Sequence, residues 1–252
     1  MAQEGSASSA SNAPRAAANY VRRSAEAIRA GKQAVGEQIS LMRAERAALC
    51  RWAELNGKKI PFDFVERFKA IGSGAEHRVY HDQQSGLAIK ATRTNSFGHS
   101  VFAQDVIATP SEYLRRLAWS NLLLGDEFRI LGIAFDEEQI EIVSAHKWIE
   151  GHAKRPVPSE DEIAEYFQRF GFARCGSNPD SPLFYNPELR LLLADSHDTN
   201  VIRNVDGDCV AIDVVIGYPG PRMRGELGLP GLAISGVTAV TGPAMSGPVQ
   251  II

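Results

Sequence analysis

The stretch Leu191-Leu-Leu-Ala-Asp195-Ser-His-Asp-Thr-Asn200, followed downstream by Ala211-Ile-Asp213, decides how this chain is read. Three successive leucines predict a short buried strand, and the loop after them presents two carboxylates, an imidazole and an amide. Residues 200–205 then turn through Asp206-Gly207 into 208–213, which predicts a hairpin, because an Asp-Gly pair accepts the positive φ of a tight turn. The runs 189–194 and 200–205 read as closely coupled strands. Asp195, Asn200 and Asp213 can thereby converge three oxygen ligands on one point. Such a set suits a hard cation such as Mg²⁺, held by carboxylates together with substrate phosphates. Asx-turn chemistry, in which Asp and Asn only satisfy loop backbone groups, is the competing explanation. It suffices for Asp198, whereas the metal reading is preferred for the other three.

Upstream, Gly72-Ser-Gly74-Ala-Glu76-His-Arg-Val79-Tyr places two glycines between strand-like runs. Without Cβ atoms their backbone N–H groups can approach phosphate oxygens, although a lone Gly-x-Gly is more often just a turn. In Leu87-Ala-Ile-Lys90, a period of two puts Ala88 and Lys90 on one face, with Leu87 and Ile89 on the other. Burying the aliphatic face would aim Lys90 into a cleft; the plain alternative is a solvated lysine on an edge strand. Further strand-like runs fall at 68–71, 79–81, 128–135 and 139–144. Capping boxes at Thr109-Pro-Ser-Glu112 and Ser159-Glu-Asp-Glu162 predict helices running to Leu124 and Phe170, stopped by Gly125 and Gly171. Strands interrupted by few helices make an α+β domain.

The 252 residues, 44% hydrophobic and 23% charged, suit one globular domain with appended segments. A net charge of −3 gives no global basic field, so neither nucleic acid nor a membrane surface is an expected partner. Cys50, Cys175 and Cys209 are odd in number and lack C-x-x-C spacing, which argues against a disulfide framework or a zinc site. No long apolar run occurs, so a soluble, cytoplasmic protein is expected. Residues 1–15 read as a disordered tail. Residues 16–56 read as a helical hairpin or broken helix interrupted near Gly31 and Gly36, with Leu41, Ala44, Ala48, Trp52 and Leu55 on one face. Packing on the domain is preferred for this segment over a partner-binding arm. The Gly/Pro-rich segment 219–252 is expected to be irregular. Ser196, His197 and Asp198 cannot stack as a nucleophilic triad on one short loop. His77 and His81, four apart on a loop and strand, lie too far apart to share a metal.

The order of these segments resembles the protein-kinase-like superfamily. The likeness is greater to the small Ser/Thr/Tyr kinase domain of bacterial and phage polyvalent proteins. It is carried by Gly74-Ala-Glu-His-Arg-Val-Tyr80, Trp119-Ser-Asn-Leu-Leu-Leu-Gly125, Ile149-Glu-Gly151, Phe170-Gly-Phe172 and Ala211-Ile-Asp-Val-Val-Ile216, within roughly 45–218. The resemblance implies a bilobal fold, with a small antiparallel-sheet lobe at 59–145 and a reduced second lobe at 146–218. A helical arm at 16–58 would precede it and an irregular tail at 219–252 follow. It implies ATP and Mg²⁺ as cofactors, with Gly72, Gly74, Val79 and Ala88 around the nucleotide and Ala145-His-Lys-Trp148 as the hinge. Lys90 would hold phosphates with Glu112 as its ion-pair partner, Asp195 would orient or deprotonate the acceptor, and Asn200 and Asp213 would hold magnesium.

The implied activity is transfer of the γ-phosphate to a protein hydroxyl in a phage or mobile-element setting. Its alternatives are a pseudokinase that binds nucleotide or scaffolds, with a protein partner for the arm, and a plain interaction domain. The chain departs from the family pattern at His77, which replaces a third loop glycine, and at Leu193-Ala194-Asp195, which replaces His-Arg-Asp. Val214-Val215 follow Asp213, and neither an Ala-Pro-Glu segment nor a helical pattern comes after them.

Overall fold

Nearly continuous burial along 87–92 and 140–147 marks the centre of a six-stranded sheet, covered on both faces, in the computed structural model, which describes residues 14–15, 17–22, 37–101, 107–176 and 182–230. Of the tail expected over residues 1–15, residues 1–13 lie outside the described residues while Pro14 and Arg15 are helical; the interruption near Gly31 and Gly36 and residues 231–252 also lie outside them. The strands are β1 (Lys59–Ile60), β2 (Lys69–Ser73), β3 (His77–Asp82), β4 (Leu87–Thr92), β5 (Arg129–Phe135) and β6 (Ile140–Lys147), in the order β1-β5-β6-β4-β3-β2. All neighbours are antiparallel except the short β1, which runs parallel to β5. Gly132 permits that pairing, since a Cβ there would come within 2.5 Å of the Ile60 side chain.

The two faces of the sheet bury different cores, as period-two strands require. Ile89, Ala91, Val143 and Ala145 pack with Val65 from the 3-10 turn Phe62–Arg67. Ile130, Ile133, Ile140 and Ile142 pack with α1 (Glu37–Leu55) and α2 (Pro110–Leu123). Ala48, Leu49, Trp52 and Ala53 of α1 are buried in that cluster, and Ala17, Ala18 and Val21 from a helical stretch at 17–22 join them. Leu55 departs from the expected apolar face: it is 66% exposed, because α1 ends there and the chain turns at Gly57 towards β1. Glu45, buried at 3% exposure, accepts hydrogen bonds from Ser111 N (2.9 Å) and Ser111 Oγ (2.8 Å). A carboxylate so placed pins α1 to the positive first turn of α2.

Both predicted capping boxes form, each worth about 1 kcal/mol by the usual effect of such caps. Thr109 caps α2, whose Tyr113, Leu114 and Leu117 enter the sheet core while Trp119 and Leu123 pack on a second cluster. Ser159 caps α3 (Glu160–Gln168), which buries Ile163, Tyr166 and Phe167 in that second cluster. A four-stranded antiparallel sheet, in the order β12-β9-β8-β7, completes it from Ala173–Cys175 (β7), Leu183–Asn186 (β8), Leu191–Ala194 (β9) and Val215–Gly217 (β12).

Two expectations are corrected here. The leucine strand β9 pairs with β8 and β12, not with the segment after Asn200, because Leu191, Leu192 and Leu193 are fully buried and need a strand on each edge. Val201–Arg203 (β10) instead forms the Asp-Gly hairpin with Cys209–Ala211 (β11), with Gly207 at φ 94°. The segment after 219 is not wholly irregular either: Pro221 starts the six-residue helix α4 (Pro221–Glu226), which buries none of its residues. Among the described residues, no helix is long and apolar enough to cross a membrane.

Candidate functional site

The period-two reading of β4 puts Lys90 on the face opposite Ile89, beside Val79 and Ser144 on the flanking strands. Its ammonium, on a residue 5% exposed, lies 2.9 Å from Asp213 Oδ1 and donates to Ile212 O at 2.6 Å. Asp213 sits between the β10–β11 hairpin and β12, so one ion pair joins the two sheets. Burial alone would raise the Asp213 pKa, but Lys90 above all, with His77 and Arg116, holds it well below the usual carboxylate range. Asp213 is thus an anion throughout the ordinary pH range.

Asp195 occupies a strained position. Its φ of 55° is left-handed, a conformation that only Gly, Asn and Asp accept readily. The loop is braced from its C-terminal side rather than by the two residues before Asp195. His197 Nε2 is 3.0 Å from Asp195 Oδ1, and His197 Nδ1 is 2.8 Å from Thr199 Oγ1. Asn200 Nδ2 also lies 3.3 Å from His197 Nε2; the tautomer that satisfies these hydrogen bonds has Nε2 accepting from that amide and Nδ1–H donating to the threonine oxygen. Asn200 Nδ2 donates to Asp195 O at 2.9 Å, while Asn200 O accepts from Ile212 N at 2.8 Å. These bonds hold Asp195, Asn200 and Asp213 in one frame. Burial raises the Asp195 pKa; His197 opposes that, and the Glu76 and Asp213 carboxylates add to it. Ser196 is fully buried and donates to Pro182 O at 2.6 Å, a structural use that agrees with setting the adjacent triad aside.

The glycine segment joins β2 to β3. Gly72 falls at an irregularity in the β2–β3 register, and neither Gly72 nor Gly74 has an atom within 4 Å of where a Cβ would stand. Arg93 holds the turn by donating to Gly74 O at 2.8 Å and Ser73 Oγ at 2.7 Å. Val79 is half-buried opposite Lys90; Ala88 is buried between His81 and His146 on the neighbouring strands. Ala145-His-Lys147 ends β6, and Trp148 stacks on His81 with ring centroids 4.1 Å apart.

Glu112 is not the partner of Lys90. Its carboxylate accepts from Thr109 N at 2.8 Å and Ser100 Oγ at 3.0 Å, so the capping box and the loop before it occupy both oxygens, and Lys90 takes Asp213 instead. Tyr113 and Arg116 also reach this region without any local signal in the sequence, and Glu76 and His77 join them from the glycine segment. Arg116, 4% exposed on α2, donates to Glu76 Oε2 at 2.6 Å, and Glu76 Oε1 accepts from His99 N at 2.7 Å. A Cβ on Gly98 would overlap that carboxylate. His77, 3% exposed, has Nε2 3.1 Å from Tyr113 Oη; its Nδ1 is 3.4 Å from Asp213 Oδ2, outside hydrogen-bond geometry. The only signal in sequence was the replacement of a loop glycine by His77, and nothing local tied it to Asp213.

His146, 7% exposed, stands beside Lys90 on the same face of the sheet, its ring 4.6 Å from Phe128 and its Nε2 without a hydrogen-bond partner. Burial, reinforced by Lys90, lowers its pKa from 6.5 to about 3. A depressed histidine pKa means that the unfolded chain binds the extra proton first. The neutral ring therefore contributes stability that is complete above pH 6.5 and declines as pH falls towards about 3. Unfolding free energies from urea titration should fall over that window, by at most about 5 kcal/mol from this group, and more steeply in wild type than in His146→Leu.

A family model described as a serine/threonine/tyrosine kinase found in polyvalent proteins matches residues 42–218. No curated protein and no solved structure matches.

Proposed function

Because the chain belongs to the serine/threonine/tyrosine kinase family found in polyvalent proteins, we propose that it binds ATP with Mg²⁺ and moves the γ-phosphate to a protein hydroxyl. The observation that carries this reading is the Lys90–Asp213 pair, which sets a cation and an unusually acidic carboxylate at one point between two sheets. We assign the activity to 59–218, with a nucleotide cleft between a lobe at 59–145 and a reduced lobe at 146–218, and a soluble setting in a phage or mobile element. The unobstructed turn at Gly72 and Gly74 would let backbone N–H groups meet phosphate oxygens. Lys90 would bind the α and β phosphates once it leaves Asp213. Asp213 and the Asn200 amide would hold Mg²⁺, which supplies charge neutralisation at the transferring phosphate. Asp195 would orient the acceptor and accept its proton. The pKa raised by burial makes it a better base than an ordinary aspartate.

A pseudokinase is the second reading, and the Asp213 surroundings favour it specifically: the Lys90 ammonium already occupies Oδ1. The two readings separate in a thermal-shift and γ-phosphate assay with Mg·ATP on wild type, Lys90→Ala and Asp213→Ala. Wild type should gain about 2.7 kcal/mol at a hundredfold excess over Kd and consume γ-phosphate, and both variants should lose most of each effect. Stabilisation without loss of γ-phosphate would select the pseudokinase. No Mg·ATP shift in wild type would remove nucleotide from the account.

A further inference from the structure

We infer that Glu76, His77 and Asp213 form a divalent-cation site of mixed nitrogen and oxygen donors, suited to Mn²⁺ and its neighbours more than to Mg²⁺. One ligand atom from each of the three residues lies within 4.8 Å of the others. Two carboxylates side by side would carry no such argument, but the imidazole does. His77 is 3% exposed, and its Nδ1 has no hydrogen-bond partner although it faces Asp213 Oδ2 at 3.4 Å. A buried polar nitrogen left unpaired costs stability, so a site that keeps one calls for an occupant.

The other ring nitrogen is already held. His77 Nε2 is 3.1 Å from Tyr113 Oη, which in turn lies 3.4 Å from Ser144 Oγ. With Nε2–H donating to the tyrosine oxygen and the tyrosine hydroxyl donating to Ser144, Nδ1 is left with its lone pair turned to Asp213. That is the arrangement of a metal-binding histidine, whose second nitrogen is fixed by an outer hydrogen bond. Imidazole is a common ligand of first-row transition metals, whereas Mg²⁺ prefers an all-oxygen shell that keeps several waters. The side chain of Asp213 is 30% exposed, which leaves a path for an ion.

Charge sets the condition for occupancy. Lys90 on Asp213 Oδ1 and Arg116 on Glu76 Oε2 balance the two carboxylates, so a dication must compete with the Lys90 ammonium. Removing that ammonium should therefore strengthen cation binding, a sign opposite to the one a phosphate-binding lysine gives for nucleotide.

The test uses the full chain without nucleotide, titrated with MnCl₂ and followed by electron paramagnetic resonance. Lys90→Met should bind Mn²⁺ roughly tenfold or more tightly than wild type, and Lys90→Met/His77→Leu should lose at least that gain, in keeping with the usual effect of a lost ligand contact. Mg²⁺ should displace the ion only at large excess. In Lys90→Met itself, electron spin echo modulation should report a ¹⁴N nucleus coupled to the bound Mn²⁺, a readout that needs no change at His77. No Mn²⁺ bound to Lys90→Met, equal affinity in the double variant, or bound Mn²⁺ without nitrogen coupling would each overturn the inference. The site shares Asp213 with the phosphotransfer reading, but no arm contains nucleotide, so either can fail alone.

Discussion

Asp195→Asn should reduce γ-phosphate transfer by about 10²–10⁴-fold, the usual contribution of a positioned acid or base, while the affinity for Mg·ATP stays nearly unchanged. The choice of asparagine follows from the backbone. At φ 55° alanine would add about 1–2 kcal/mol of left-handed strain, and a loss of activity could then come from a displaced loop. Asparagine tolerates that conformation and keeps the size and shape of the side chain, so only the basic lone pair and its charge disappear. The same charge fixes the pH profile. Burial raises the Asp195 pKa above its ordinary value of 3.8, so transfer in wild type should fall as acid is added and the raised pKa is crossed. Single-turnover assays against pH would show this limb in wild type and its absence in the residual activity of Asp195→Asn. Turnover retained at the wild-type rate would remove Asp195 from the role of proton acceptor.

Local chemistry in the sequence reported local structure well. The two capping boxes gave helices whose starts match Pro110 and Glu160, since a cap is a contract among four neighbouring residues. The Asp-Gly hairpin and the Lys90 strand formed for the same kind of reason. What failed depended on distant partners. Phe184 and Tyr185 supply the strand that pairs with Leu192 and Leu193, but a four-residue run between loops carries no periodicity long enough to find. The resemblance implies Glu112 as the partner of Lys90, whereas the capping bonds that hold it elsewhere are legible in the same four residues. Asp195, Asn200 and Asp213 do share one hydrogen-bonded frame, whereas His197 braces it from a side that the family pattern does not use.

Glu76→Leu should cost about 3–5 kcal/mol of unfolding free energy, because it leaves the Arg116 guanidinium buried beside an apolar side chain. Arg116 cannot shed its proton to escape, because a guanidinium stays charged at any ordinary pH. The paired change Glu76→Leu/Arg116→Met should recover most of the loss, since two apolar side chains leave no charge unpaired, although His99 N still loses its acceptor. The pair also predicts a pH window. Burial raises the Glu76 pKa, yet Arg116 outweighs it and the folded value falls below 4.5. The contribution is therefore complete above pH 4.5 and is lost as pH falls through the lower folded value, so wild type and Glu76→Leu should converge in acid. Urea denaturation of the four-member cycle at pH 7 and pH 3 measures both effects. A single-variant loss below about 1 kcal/mol at pH 7 would mean that water reaches Arg116 and that the glycine segment is not tied to α2 through this pair.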